Sequence, residues 1–157
     1  MKKLNNRGFT LAELIVVIAI MGILAGVMSA SINHIFSNKT RKFVNECDAM
    51  LTRCRVEILS GARQNDTYVD LGLKNGQYYV AFYKNGTQEE LEVLKNGNAT
   101  CTYTLQGGTE TPVQTESALK LNFNRSTGAL ITKCVEINVS GSKITLEPAT
   151  GYHQTGG

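Results

Sequence analysis

From Phe9 to Met28 the chain is apolar or small at every position except Thr10 and Glu13. As a helix this run is about 30 Å long, the thickness of a bilayer core. No further charge appears until Lys39, and no proline interrupts residues 9–60. The pattern then turns amphipathic. Phe43, Cys47, Met50, Leu51, Cys54 and Ile58 recur at three- and four-residue spacing, and Arg41, Lys42, Glu46, Asp48, Arg53, Arg55 and Glu57 fill most positions between. Gly61 supplies a helix terminator. The prediction is one helix of roughly fifty residues whose second half needs a surface to pack on. Beyond it the period switches to two. Asn75-Gly76, Asn85-Gly86 and Asn96-Gly97 are hairpin-turn pairs, because Asn and Gly accept positive φ. The runs QYYVAFYK, EELEVLK, ATCTYTL, SALKLNF, ALITKCVEINVS and KITLE read as strands, and ATGYHQTGG reads as a loose tail. The fold class expected is α+β: a long N-terminal helix packed by its second half on one antiparallel sheet spanning about 67–147.

Charge sharpens this picture only at the N-terminus. The formal net charge is +3, and Lys2, Lys3 and Arg7 account for it; the remaining 13 cations face 13 acids. A neutral body argues against strong non-specific nucleic-acid binding, which needs clustered Lys and Arg. The chain divides by composition into a basic stub at 1–8, an apolar helix half at 9–33 and a body at 34–157, with amphipathic helix to about 60. Four cysteines, Cys47, Cys54, Cys101 and Cys134, are candidates for a disulfide. Cys47 and Cys54 are one helix segment apart by about 10 Å of rise, so any bridge involves Cys101 or Cys134. In the last long strand Cys134 has the opposite parity to Val135, Ile137 and Val139, which opposes a simple Cys101–Cys134 bridge unless a bulge intervenes. Buried free thiols are the alternative. No CxxC pair is present and there are two histidines, His34 and His153, so no zinc-ligand spacing exists.

Glu13 selects among readings of the first 28 residues. A removable secretory signal has a shorter apolar region without an acid, and Met28-Ser29-Ala30 makes a poor cleavage site. A passive membrane anchor has no use for a carboxylate, whose insertion costs about 2.5–3.5 kcal/mol near a helix centre. A third reading accounts for it. Arg7-Gly8-Phe9-Thr10-Leu11-Ala12-Glu13 followed by LIVVIAIMGILAG resembles the N-terminus of type IV prepilins and the related pseudopilins. The resemblance covers about thirty residues; the helix-then-sheet order is similar to the pilin fold. It implies a leader at 1–8, cleavage between Gly8 and Phe9 by a membrane prepilin peptidase, and N-methylation of Phe9 by the same enzyme. It implies that Glu13 meets the α-amino group of Phe9 in a neighbouring subunit. It implies a single-pass plasma-membrane protein with a cytoplasmic N-terminus, later a cell-surface filament, with other pilin subunits, a membrane platform and an assembly ATPase as partners. Many family members have proline where this chain has Ala30. Gly22 and Gly26 stand at GxxxG spacing, which permits close helix approach, although small residues are common in membrane helices generally.

Nothing in the sequence points to catalysis. GxSxG, HExxH, GxxxxGK[ST] and GxGxxG are absent. Glu89, Glu90 and Glu92 read as a solvated strand edge, and Asp66 and Asp70 as isolated loop acids without calcium-ligand spacing. Neither cofactor nor metal is expected. The leading expectation is a structural subunit of a type IV pilus or pseudopilus. The alternative is a minor pseudopilin that binds at the filament tip, in DNA uptake or protein secretion. Tyr78, Tyr79, Phe82 and Tyr83 suggest a sticky face, half of which alternation assigns to the core.

Overall fold

The structure, a computed structural model, describes residues 11–95, 98–115 and 117–156, and over 25–37 the backbone alone. A single helix, α1, runs over Leu11–Leu59. The chain divides into two compact units, Met1–Ser37 and Asn38–Gly157, and α1 contributes to each.

In the second unit the amphipathic pattern is realised as read. Phe43, Cys47, Met50, Leu51, Cys54 and Ile58 are all buried, joined by Val44. The helix ends in a double turn: the Gly61 N–H donates to the Ile58 carbonyl and the Ala62 N–H to the Glu57 carbonyl, with Gly61 at φ +120°. This pair of bonds satisfies carbonyls that a helix end leaves open, and the left-handed residue between them suits glycine.

Among the described residues nine strands follow a 3-10 turn at Gln64–Asp66: β1 (Tyr68–Lys74), β2 (Gln77–Lys84), β3 (Thr87–Leu94), β4 (Cys101–Leu105), β5 (Glu110–Pro112), β6 (Leu119–Leu121), β7 (Cys134–Val139), β8 (Ser142–Glu147) and β9 (Tyr152–Gly156). All pairings are antiparallel. Asn75-Gly76 and Asn85-Gly86 turn the first two hairpins with positive φ at both residues. Asn96-Gly97 lies outside the described residues.

The single sheet expected from the sequence is two sheets. The first has order β3-β2-β1-β6 and the second β5-β4-β7-β8-β9. The cause is non-local. After β3 the chain does not pair β4 onto the growing meander; β4 pairs with β7 instead, and β6 returns to the free side of β1. The run SALKLNF contributes only Leu119–Leu121 to a ladder, and ALITKCVEINVS only Cys134–Val139. The tail is not loose either. Thr150 and Gly151 turn the chain, with both N–H groups on the Glu147 carbonyl, and β9 pairs with β8 from Tyr152 to Gly156. Pro112 stands in the edge strand β5, where a missing N–H is tolerated.

One apolar cluster joins the helix to both sheets. Val69, Leu71, Val80, Phe82, Leu94 and Leu121 come from the first sheet; Cys101, Cys134, Ile137, Val139 and Ile144 from the second. Cys134 reaches this core through a bulge. Thr104 faces Glu136 while Leu105 faces Cys134, so Val135 is the extra residue and Cys134 turns to the buried side. The shared face of Val135, Ile137 and Val139 expected from parity is thereby corrected: Cys134 replaces Val135.

Candidate functional site: the exposed N-terminal helix

The first turn of α1 carries Glu13. From Leu11 to Leu24 every residue is exposed, and ten large apolar side chains among them are 47–79% exposed. Leu14, Ile15, Val16, Val17 and Ile18 are consecutive, so at 100° per residue their side chains surround the axis. A helix apolar all round is built for lipid or for burial among other helices, since no single partner surface would cover it. Gly22 leaves open space beside the helix: a side chain built there would meet nothing within 4 Å. Gly26 lies in the helix backbone, with its surroundings outside the described residues, as are those of Ala30 and His34. Gly8 and Phe9, the expected cleavage junction, also lie outside them. Among the described residues no helix is long and apolar enough to cross a membrane. The described side chains of the apolar run are those of 11–24, about 21 Å of helix.

The other residues singled out by sequence sit in the second unit, and the structure distributes them differently. All four cysteines are buried and free. Burial pushes the Cys54 and Cys101 thiols up to about 12 and Cys134 to about 11, because a thiolate would lose its hydration. Cys47, on the helix, is pushed well above the ordinary range, first by burial and then by its neighbours Cys101, Asp48 and Cys134. Such thiols are inert packing groups in this state. Cys101 faces Val139 and Cys134 faces Leu105, so these two stand at opposite ends of the β4–β7 ladder. That separation of about four residues, roughly 13 Å, excludes a direct bridge. Cys47 feels both of them electrostatically.

The acids read as solvated or isolated have partners. Glu89 and Glu90 both pair with Arg53 of the helix, and Glu92 with Lys42 at 2.8 Å. Asp70 lies in β1, not in a loop, and accepts the Tyr79 hydroxyl at 3.1 Å. His153 is held rather than loose. Its Nε2 lies 3.0 Å from Thr52 Oγ1 and 3.7 Å from Asp48 Oδ1, while Nδ1 faces the Gly151 carbonyl at 3.3 Å. Thr52 and Asp48 thus share one ring nitrogen, which is not the relay of an acid, a base and a nucleophile across opposite nitrogens. No local pattern announces these contacts; each joins residues 36 or more apart, except Asp70 with Tyr79 and His153 with Gly151. Among the described residues no group of three or more His, Cys, Asp or Glu could hold a metal ion.

Comparison with known proteins adds one finding. Residues 3–29 match the family model of the prokaryotic N-terminal methylation motif. No curated protein and no solved structure matches the chain. The all-round apolar helix with its one early carboxylate therefore lies within a recognised motif, and across residues 3–29 the chain carries the type IV pilin and pseudopilin signature.

Proposed function

We propose that the chain is a structural subunit of a type IV pilus or pseudopilus, polymerised through its N-terminal helix. The observation that carries this reading is the apolar surface exposed on every side of residues 11–24, interrupted by Glu13 alone. In this account prepilin peptidase cuts between Gly8 and Phe9 at the cytoplasmic face. Residues 9–28 hold the subunit in the plasma membrane with the body outside. N-methylated Phe9 then supplies the α-ammonium group that Glu13 of an adjoining subunit meets as the helices pack into the filament core. A charge pair formed in the low-dielectric filament core favours docked subunits and fixes their register. Gly22 and Gly26 allow neighbouring helices to approach there. A cytoplasmic ATPase and a membrane platform drive the extraction. The second reading, a minor pseudopilin acting as a tip module in DNA uptake or protein secretion, draws support from Tyr79 and Tyr83, which strand alternation places on the face of the first sheet opposite the buried Val80 and Phe82.

Two measurements test the reading together. Intact-mass spectrometry of the membrane form should show loss of residues 1–8 and one added methyl group on Phe9. A retained Met1, or a cut near Ala30, removes the basis of the proposal. Glu13→Ala should be processed and inserted as the parent is, yet sheared-filament yield should fall at least tenfold, about 1.4 kcal/mol of assembly free energy per tenfold. Normal filaments from this variant would remove the pairing role of Glu13.

A further inference from the structure

The outer face of the first sheet, turned away from the core, carries a shallow groove of about 250 Å³. Strand alternation builds it. Val69, Leu71, Val80 and Phe82 point into the core, so Tyr68, Tyr79 and Tyr83 stand on the opposite face. These rings are fixed in place. Lys120 Nζ lies 4.1 Å from the Tyr68 centroid, and Tyr68 stacks on Tyr83 at 4.8 Å with planes 16° apart. Tyr79 crosses the backbone of its cross-strand partner Gly72. A Cβ on Gly72 would stand 2.6–2.7 Å from the Tyr79 hydroxyl and adjoining ring carbons, so only glycine lets this ring settle against the sheet. The Tyr79 hydroxyl donates to Asp70, and burial with Asp70 nearby pushes that phenol up to about 12, so it stays protonated.

The polar lining is specific. Tyr83 donates to Gln88 Oε1 at 3.0 Å, which leaves the Gln88 amide N–H groups directed elsewhere. Asn75 and Gln77 add two more amides, and Leu91 and Val93 an apolar floor. Lys74 supplies the one charge among the eight lining residues. Preordered aromatic rings match the C–H face of a pyranose, and amides with phenol oxygens match hydroxyls that both donate and accept. A nucleic-acid strand would need several cations for its phosphates, and the lining offers one.

We propose that the groove bounded by Lys74, Asn75, Gln77, Tyr79, Tyr83 and Gln88 is a binding site for a neutral hexopyranose glycan. Tyrosine emission reports on it directly, since the chain has six tyrosines and no tryptophan. The full chain, kept in a detergent without a sugar headgroup, is titrated with maltose, cellobiose, lactose and N,N′-diacetylchitobiose. At least one should saturate the protein, with Kd in the millimolar range or below as shallow, open sites give. Tyr79→Ala and Gln88→Ala should each weaken that binding, the first by about tenfold, as loss of an aromatic anchor does. Gly72→Ala should weaken it several-fold with Tyr79 still present, and Tyr152→Phe on β9 should leave it unchanged. Circular dichroism confirms that each variant is folded, and the surface change Gln88→Ala decides the matter if Gly72→Ala is not. The proposal is overturned if none of the four sugars saturates, or if Tyr79→Ala and Gln88→Ala bind as the parent does. It is also overturned if oligothymidylate saturates the groove at lower concentration than every sugar, which assigns the face to nucleic acid.

Discussion

At Gly151 two independent constraints coincide. Its φ is +67°, and a side chain there would collide with the carbonyl oxygen of Gly128 while standing 3.1 Å from the Phe123 ring and 3.2 Å from Arg55 Nε. Left-handed backbone costs a non-glycine residue about 1–2 kcal/mol, and overpacking adds about 1–3 kcal/mol. Arg55 makes the neighbourhood still less yielding, since it donates to the carbonyls of Gly128 and Thr150 at 3.4 and 2.9 Å. Gly151→Ala should therefore lower the unfolding free energy by about 3 kcal/mol in a urea titration, whereas Gly141→Ala, at φ +93° but with open space around it, should cost only the backbone component. Equal losses for the two would show that the Gly128 carbonyl moves aside freely. Nothing in the residues around Gly151 marks it out by sequence, because its crowding comes from Gly128 and Phe123, more than twenty positions away.

At the scale of elements, Arg53 fastens α1 to β3. Its guanidinium pairs with Glu89 and Glu90 and lies 4.9 Å from the centroid of the buried Phe82 ring. Lys42–Glu92 and Glu57–Lys84, at 2.8 and 2.9 Å, extend the same seam along the helix. These groups are partly exposed, so solvent screens them and the pairs are modest individually. Arg53→Ala removes both pairs and the cover over Phe82, and should cost about 1–2 kcal/mol in low salt. Arg53→Lys should recover part of this, since a point charge cannot reach two carboxylates as a planar fork does. The difference between the two variants should shrink at 1 M salt; a salt-independent loss would assign the effect to the Phe82 contact alone. The helix face, its stop at Gly61 and two of the Asn-Gly hairpins were legible in the sequence because each is set within a few residues. The partners of Glu89, Glu90 and Glu92 were not, because a strand's free edge and a strand against a helix share one local pattern. The bulge at Val135 was visible only as a parity conflict around Cys134, and β9 was hidden because Tyr152–Gly156 has no alternation to show.

For the whole molecule, the four buried thiols make a test of core integrity. Each has its pKa raised above the ordinary thiol value, with Cys134 at about 11 and Cys54 and Cys101 at about 12. Below the ordinary value of about 8.5, folded and unfolded chains are both protonated at sulfur, and the shift changes nothing. Above it the unfolded chain releases these protons while the folded chain holds them, so the unfolded state binds fewer protons and stability falls as pH rises. The fall runs from about pH 8.5 towards 11–12, where the folded thiols themselves ionise. Each thiol contributes about 1.4 kcal/mol per pH unit in that window, and four give about 5 kcal/mol per unit at full slope. Tyr68, Tyr79 and Tyr83 are raised too and add to the slope near its upper end. A urea midpoint followed from about pH 8 to 10 should therefore drop steeply, and Cys54→Ala should flatten the drop by one thiol's share. The same curve decides the disulfide question that the sequence left open. The β4–β7 register excludes Cys101–Cys134, and Cys47 has both of these thiols as electrostatic neighbours. If Cys47 is oxidised onto one of them outside the cell, two titrating groups disappear at once. The slope would then be about half, and dithiothreitol would restore it. A slope unchanged by reductant means that the core carries four thiols in the mature protein, packed as small apolar groups.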